Sequence, residues 1–118
     1  MMDNEPNTTT NPEEEHNLIS FGIIANAGDS RSYAFQALDA AKQGDFAQAD
    51  EFMKKSAEAA NLAHKSQTDL LFQEMNGGHA PVNVLLVHSQ DHLMTAMLAS
   101  ELIKELIDMY KKQAGVAA

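Results

Sequence analysis

From Pro12 onward, apolar and small residues recur at intervals of three and four, the period of a helix that buries one face. Two punctuation points divide the pattern into three stretches. Asn11-Pro12-Glu13-Glu14-Glu15 supplies an N-cap, a proline at the first helical position and acids at the positive end of the dipole. The first helix is therefore predicted to start there and to run to Gln43, with a kink or a close helix contact at the polar, glycine-bearing stretch Asn26 to Ser32. Gln43-Gly44-Asp45-Phe46 stops that helix and starts another: Gly44 suits the left-handed position after a helix, and Asp45 with Gln48 suits an N-cap. So short a connection makes an antiparallel hairpin. The second helix carries Phe46, Ala49, Met53, Ser56, Ala60, Ala63, Gln67 and Leu70 on one stripe and extends to about Met75, where Asn76-Gly77-Gly78 breaks it. The third is predicted from Pro81 to Lys112 or Gln113. With no strand alternation anywhere, the expected fold class is all-α, an antiparallel up-down-up bundle of three helices.

Length and charge narrow the picture. The chain of 118 residues suits one domain, expected over 12–113, with a disordered, acidic and polar tail over 1–11 and a short flexible end over 114–118. Seventeen acidic residues against eight basic give a net charge of −9, and the basic residues are scattered, which argues against nucleic acid and anionic membranes as partners. There is no cysteine, which excludes disulfides and thiolate chemistry and fits a reducing compartment. The absence of a basic-flanked signal segment and of a long apolar run leads to the expectation of a cytoplasmic protein without membrane insertion.

The third helix carries more apolar surface than one bundle uses. Leu86, Leu93, Met97, Ile103, Ile107 and Tyr110 form a stripe suited to packing on the first two helices. Val84, Val87, Asp91, Met94 and Leu98 form a second, in which Val84, Asp91 and Leu98 hold successive a positions of a heptad with Val87 and Met94 at d. The second stripe predicts self-association through this helix; the plainer alternative is cover by the chain's own tail or a loop. Inside the same segment, His88 and His92 are one turn apart with Asp91 beside them, and a polar cluster in a greasy run is costly unless paired or used.

Three readings of that cluster stand side by side: a metal site or metal-dependent hydrolase built on His88, Asp91 and His92, a phosphocarrier histidine, and a structural cluster. A hydrolase also wants a glutamate base next to its ligands, and the nearest on this helix is Glu101. Of the other residues that draw notice, His64 is expected as a core histidine, His16 and His79 as solvated, and Arg31 in an intramolecular ion pair. The seven methionines fit core filling and docking.

The eight residues His88-Ser89-Gln90-Asp91-His92-Leu93-Met94-Thr95 closely resemble the signature of the lactose/cellobiose/chitobiose class of enzyme IIA in the bacterial sugar phosphotransferase system (PTS). Gly28, Arg31 and Ser32, the Gln43 to Phe46 turn, and Ala63-His64 with Gln67-Thr68 are similar to that family's pattern, over roughly residues 18 to 112. Within the family, the acidic tail and the Val84 to Met94 context look most like the diacetylchitobiose subgroup. The resemblance implies a cytoplasmic homotrimer of three-helix subunits that takes a phosphoryl group from the histidine phosphocarrier protein. It passes the group to a cysteine of the IIB component, which serves the IIC permease. It also implies His88 as the phosphoryl acceptor, through its tele nitrogen, with His92 and Gln90 as auxiliary residues. Asp91 is then the ligand of a structural Mg²⁺, one per trimer on the three-fold axis. At about 100° per residue Gln90 lies about 200° around the helix from His88, so it is expected to reach a neighbouring subunit's site instead of its own.

Overall fold

The computed structural model describes residues 11–116. Of the expected tail only Asn11 falls within them; the rest of it and residues 117–118 lie outside. Three helices account for the fold: α1 Pro12–Lys42, α2 Phe46–Met75 and α3 Val84–Gln113. Their ends follow from local chemistry. The Asn11 side chain accepts from the Glu14 amide at 2.8 Å, and Asp45 does the same for Gln48 at 3.1 Å. Each satisfies one of the amides that a helix start leaves without a partner. At the other ends, Gly44 and Gly77 take φ of 79° and 88°, open to glycine at little cost. The residues after them bond back into the last turn: Asp45 N to the Ala40 carbonyl at 2.9 Å, and Gly78 N to the Gln73 carbonyl at 2.8 Å.

One boundary corrects the sequence reading. α3 begins at Val84, three residues after Pro81, because Asn83 can cap it and Ala80 cannot: Asn83 Oδ1 accepts from Leu86 N at 2.8 Å. Its amide also donates to Asn17 Oδ1 on α1 at 3.0 Å, which ties the start of α3 to the start of α1. The α2–α3 connection is held by Glu74, whose two carboxylate oxygens take His79 Nδ1 at 2.8 Å and Ala80 N at 3.3 Å. The hydrogen bond from His79 is the largest influence and holds the Glu74 carboxyl below the ordinary glutamate range; loss of solvent opposes it, and the backbone bond to Ala80 and the charge of His79 add smaller lowering effects.

α1 packs along both other helices, whereas α2 and α3 meet each other only sparingly. Small residues make this close approach possible. One core cluster gathers Ala34, Ala37, Leu38, Ala41, Ala49, Ile103 and Ile107; the other gathers Ile23, Ala27, Ala63, Leu70, Leu93 and Ala96. Of the adjacent pair Ala59-Ala60 on α2, Ala59 is the buried one and Ala60 is only half-buried, so the stripe is turned slightly from the predicted one. Between the clusters lies a hydroxyl layer. Ser56 Oγ donates to the Ser30 carbonyl at 2.7 Å and lies 3.1 Å from Ser30 Oγ and 3.4 Å from Ser100 Oγ, so each helix contributes one serine.

The predicted division of α3 into two stripes holds. Leu93, Ile103 and Ile107 are buried, with Leu86, Met97 and Tyr110 packed at the edges of the core. Val84, Val87, Met94 and Leu98 stay exposed, Val84 at 85%. Neither connection between the helices covers them, which removes the loop half of the plainer alternative; the tail lies outside the described residues. The exposed apolar row continues as Leu102, Leu106 and Met109, leaving the heptad positions to Glu101, Glu105 and Asp108.

Candidate functional site

The first turns of α3 place the signature residues, and successive side chains about 100° apart go to different surroundings. Ser89 is wholly buried and donates to the Leu86 carbonyl at 2.7 Å, so this member of the signature belongs to the core. Leu93 is fully buried in the same direction. Gln90 turns toward α2: it is half-buried, and its Oε1 accepts from Gln67 Nε2 at 2.6 Å. These two amides line a small cavity of about 230 Å³ with Leu70, Leu71, Val82 and Leu86. Gln90 is thus fixed to its own α2, on the far side of α3 from His88.

His92 faces α1, and His88 lies one turn before it on the same side of α3. His88 is exposed, and neither of its ring nitrogens makes a hydrogen bond among the described residues. His92 is half-buried and meets the His88 ring edge to face, with centroids 5.4 Å apart and planes at 83°. Behind His92 stands Gly28 of α1; a β-carbon built there lies 3.8 Å from His92 Cε1. The sequence reading allowed a kink or a close helix contact over Asn26 to Ser32, and at Gly28 there is a close approach of α3. Exposed apolar side chains flank His88 on its own helix, Val84 one turn before it and Val87 beside it. An accessible imidazole on a rigid helix, next to apolar surface, can meet another protein's reacting group without first breaking a bond of its own.

Asp91 projects from the exposed stripe between Val87 and Met94, and its carboxylate has no hydrogen-bond or ion-pair partner among the described residues. It does not join the two histidines. Among the described residues no three His, Asp or Glu side chains are grouped to hold a metal, which counts against the single-chain metal or hydrolase reading of His88, Asp91 and His92. The physical reason is angular: Asp91 points about 60° to one side of His88 and His92 about 40° to the other.

Other expectations are corrected by position. His64 is exposed, outside the core, and its ring makes no hydrogen bond among the described residues; Thr68 Oγ1 donates to its carbonyl at 2.9 Å. Arg31 makes no ion pair among the described residues; its guanidinium lies over the Phe35 ring, 5.7 Å from the centroid. His16 is less solvated than expected, its Nδ1 being buried without a hydrogen bond. His79 is exposed as expected, but paired with Glu74.

Comparison with known proteins places these features. Residues 18–111 match the family model described as PTS system, Lactose/Cellobiose specific IIA subunit. The chain is 49% identical over 111 residues to the N,N'-diacetylchitobiose-specific EIIA component of the PTS of Escherichia coli K12, covering 94% of this chain and 95% of that protein. It is 45% identical over 101 residues to the lactose-specific EIIA component of Lactococcus lactis, covering 86% and 96%. Among solved structures it superposes on the cellobiose-specific enzyme IIA of Bacillus anthracis with a TM-score of 0.83 at 45% identity, over 93% of this chain and 98% of that one. It also superposes on the E. coli IIA(Chitobiose) chain solved in complex with HPr, with a TM-score of 0.73 at 45% identity, over 90% and 99%. No helix among the described residues is long and apolar enough to cross a membrane. On sequence and fold together, the chain belongs to the lactose/cellobiose-specific IIA family of the sugar phosphotransferase system.

Proposed function

We propose that His88 is the phosphoryl acceptor through which this IIA chain works. It takes the group from the histidine phosphocarrier protein HPr and gives it to a cysteine of the IIB component, in the cytoplasm, in support of IIC-mediated uptake of a disaccharide of the chitobiose, cellobiose or lactose type. The observation that carries this reading is the state of His88: exposed, without a side-chain hydrogen bond among the described residues, and presented on a fixed helix beside the exposed Val84 and Val87. In the first transfer a neutral imidazole nitrogen of His88 attacks phosphorus on the donor's phosphohistidine. One N–P bond forms as the other breaks. In the second, the IIB thiolate attacks the same phosphorus and His88 leaves. Both steps need alignment and charge stabilisation more than a deep pocket, so a flat helical surface suffices. The complex of E. coli IIA(Chitobiose) with HPr supports the choice of donor.

The exposed row Val84, Val87, Met94 and Leu98 supports a homotrimer with α3 at its centre. Asp91 then meets its two symmetry mates between apolar rings, where three bare carboxylates repel one another. One carboxylate alone makes no metal site, but three converging ones with retained water suit Mg²⁺, and Asp91 has no competing partner among the described residues. The ion would neutralise charge and fix the assembly. Gln90, on the face away from its own His88, would take part only at a neighbour's site.

The test is reconstitution with phosphoenolpyruvate, enzyme I and HPr, read by intact mass. The parent gains one acid-labile phosphoryl group, His92→Ala gains it more slowly, and His88→Ala gains none while keeping its helicity and association. A His88→Ala protein labelled at the parental rate contradicts the proposal.

A further inference from the structure

Gly28 costs helix α1 about 1 kcal/mol relative to alanine, and the backbone does not ask for it. Its φ is not positive, unlike that of Gly44, Gly77 and Gly115, and it sits in the middle of a helix of 31 residues. Space is the remaining reason for a small residue. Apart from its chain neighbours and its own helix, a β-carbon at this position meets a single atom within 4 Å, Cε1 of His92. His92 makes no hydrogen bond through its ring among the described residues; Gly28 stands on one side of that ring, and His88 meets it edge to face.

We propose that the small residue at 28 is a positioning element for phosphoryl transfer: it leaves the room in which His92 lies back against α1 and holds the His88 ring in the orientation that meets the donor. The inference rests on the reading of His88 and His92 as the site. A displacement of about 1 Å in such a constellation can cost about 100-fold in rate, so a methyl group that displaces His92 is enough to matter. Alanine is accommodated, since 3.8 Å is ordinary van der Waals contact. Valine is not: its two γ-methyls are held in one strongly preferred helical rotamer and cannot both swing clear of the imidazole. Valine also forms helix better than glycine, so it does not weaken α1 as a helix.

The experiment compares Gly28→Ala and Gly28→Val, each in the parent and in His92→Ala. Phosphoryl transfer from HPr and the histidine ring resonances of the unphosphorylated proteins are followed. Gly28→Ala should keep transfer within about twofold and retain the His88–His92 ring contact, a conservative change with little displacement. Gly28→Val should lose that contact and slow transfer as far as His92→Ala does. In the His92→Ala background Gly28→Val should add no further loss, because the ring it displaces is gone. The inference is overturned if Gly28→Val transfers at the parental rate, keeps the ring contact, or multiplies its loss with that of His92→Ala. The ring contact is read without phosphate, so it reports on Gly28 whichever histidine accepts the group.

Discussion

Asn83→Ala is the substitution that the start of α3 makes most informative, because one side chain performs two separable tasks five residues ahead of His88. Its Oδ1 caps α3 through Leu86 N at 2.8 Å, and its amide donates to Asn17 Oδ1 at 3.0 Å. Loss of a cap costs about 1 kcal/mol, and loss of a partly buried side-chain hydrogen bond about another. The sum is about 2 kcal/mol. With a urea m-value of roughly 1–3 kcal/mol per molar, the unfolding midpoint should fall by on the order of 1 M. All proteins must be compared at one concentration, since association adds to apparent stability. Asn17→Ala removes only the interhelical bond and should cost about 1 kcal/mol. The double variant should cost no more than Asn83→Ala alone, since both changes delete the same bond. Asn83→Asp keeps the cap, and the Asn17 amide can turn to donate to the new carboxylate, so it should stay within about 0.5 kcal/mol of the parent. An Asn83→Ala protein within about 0.5 kcal/mol of the parent, or strict additivity with Asn17→Ala, would refute the double role.

Ser56→Ala should destabilise by about 1–2 kcal/mol in the same assay, since it strips the hydroxyl layer of its central member. Ser56→Val should cost more, because it adds volume at a position with no exposure. Asp91→Leu should associate at least as strongly as the parent in sedimentation and ignore chelator, while chelator weakens the parent; dissociation of the variant to monomer would count against Asp91 on a shared axis. Glu74 is ionised more readily in the fold than in the unfolded chain, so its contribution is present above its unfolded pKa and is lost as pH falls through its lower, folded one. Glu74→Gln should therefore lower stability near neutrality and draw level with the parent as pH falls through the acid range, flattening the acid side of the profile, as urea unfolding from neutral to acid pH would show.

Most of the fold was legible because helix ends are local chemistry. Asn11 with Pro12, and Gly44 with Asp45, place their boundaries within a residue. Pro81 misled because a proline at a first helical position still needs a capping neighbour, and Asn83 supplied a better one two residues on. What the pattern could not carry was rotation and partner choice. Ala59 and Ala60 differ by about 100° around α2, and only packing decides which is buried. His64 and Arg31 each had plausible partners on residue type alone; their side chains nonetheless face outward, Arg31 lying over Phe35 on the next turn. Ser89 reads as part of a polar motif, yet the turn it occupies faces the core. The pairing of His88 with His92 was legible from their one-turn spacing, whereas the hold of Gln67 on Gln90 is a contact between helices that no spacing within one helix reveals.

The central claim is that the phosphoryl group resides on His88. A two-dimensional ¹H–¹⁵N spectrum of the histidine side chains, recorded before and after phosphorylation by phosphoenolpyruvate, enzyme I and HPr, tests it most directly. The account predicts that the His88 ring nitrogens alone acquire the large shift and phosphorus coupling of an N–P bond, while His92 changes slightly through its ring contact. Phosphorus coupling on His92, His64 or any other histidine, with His88 unchanged, would contradict it.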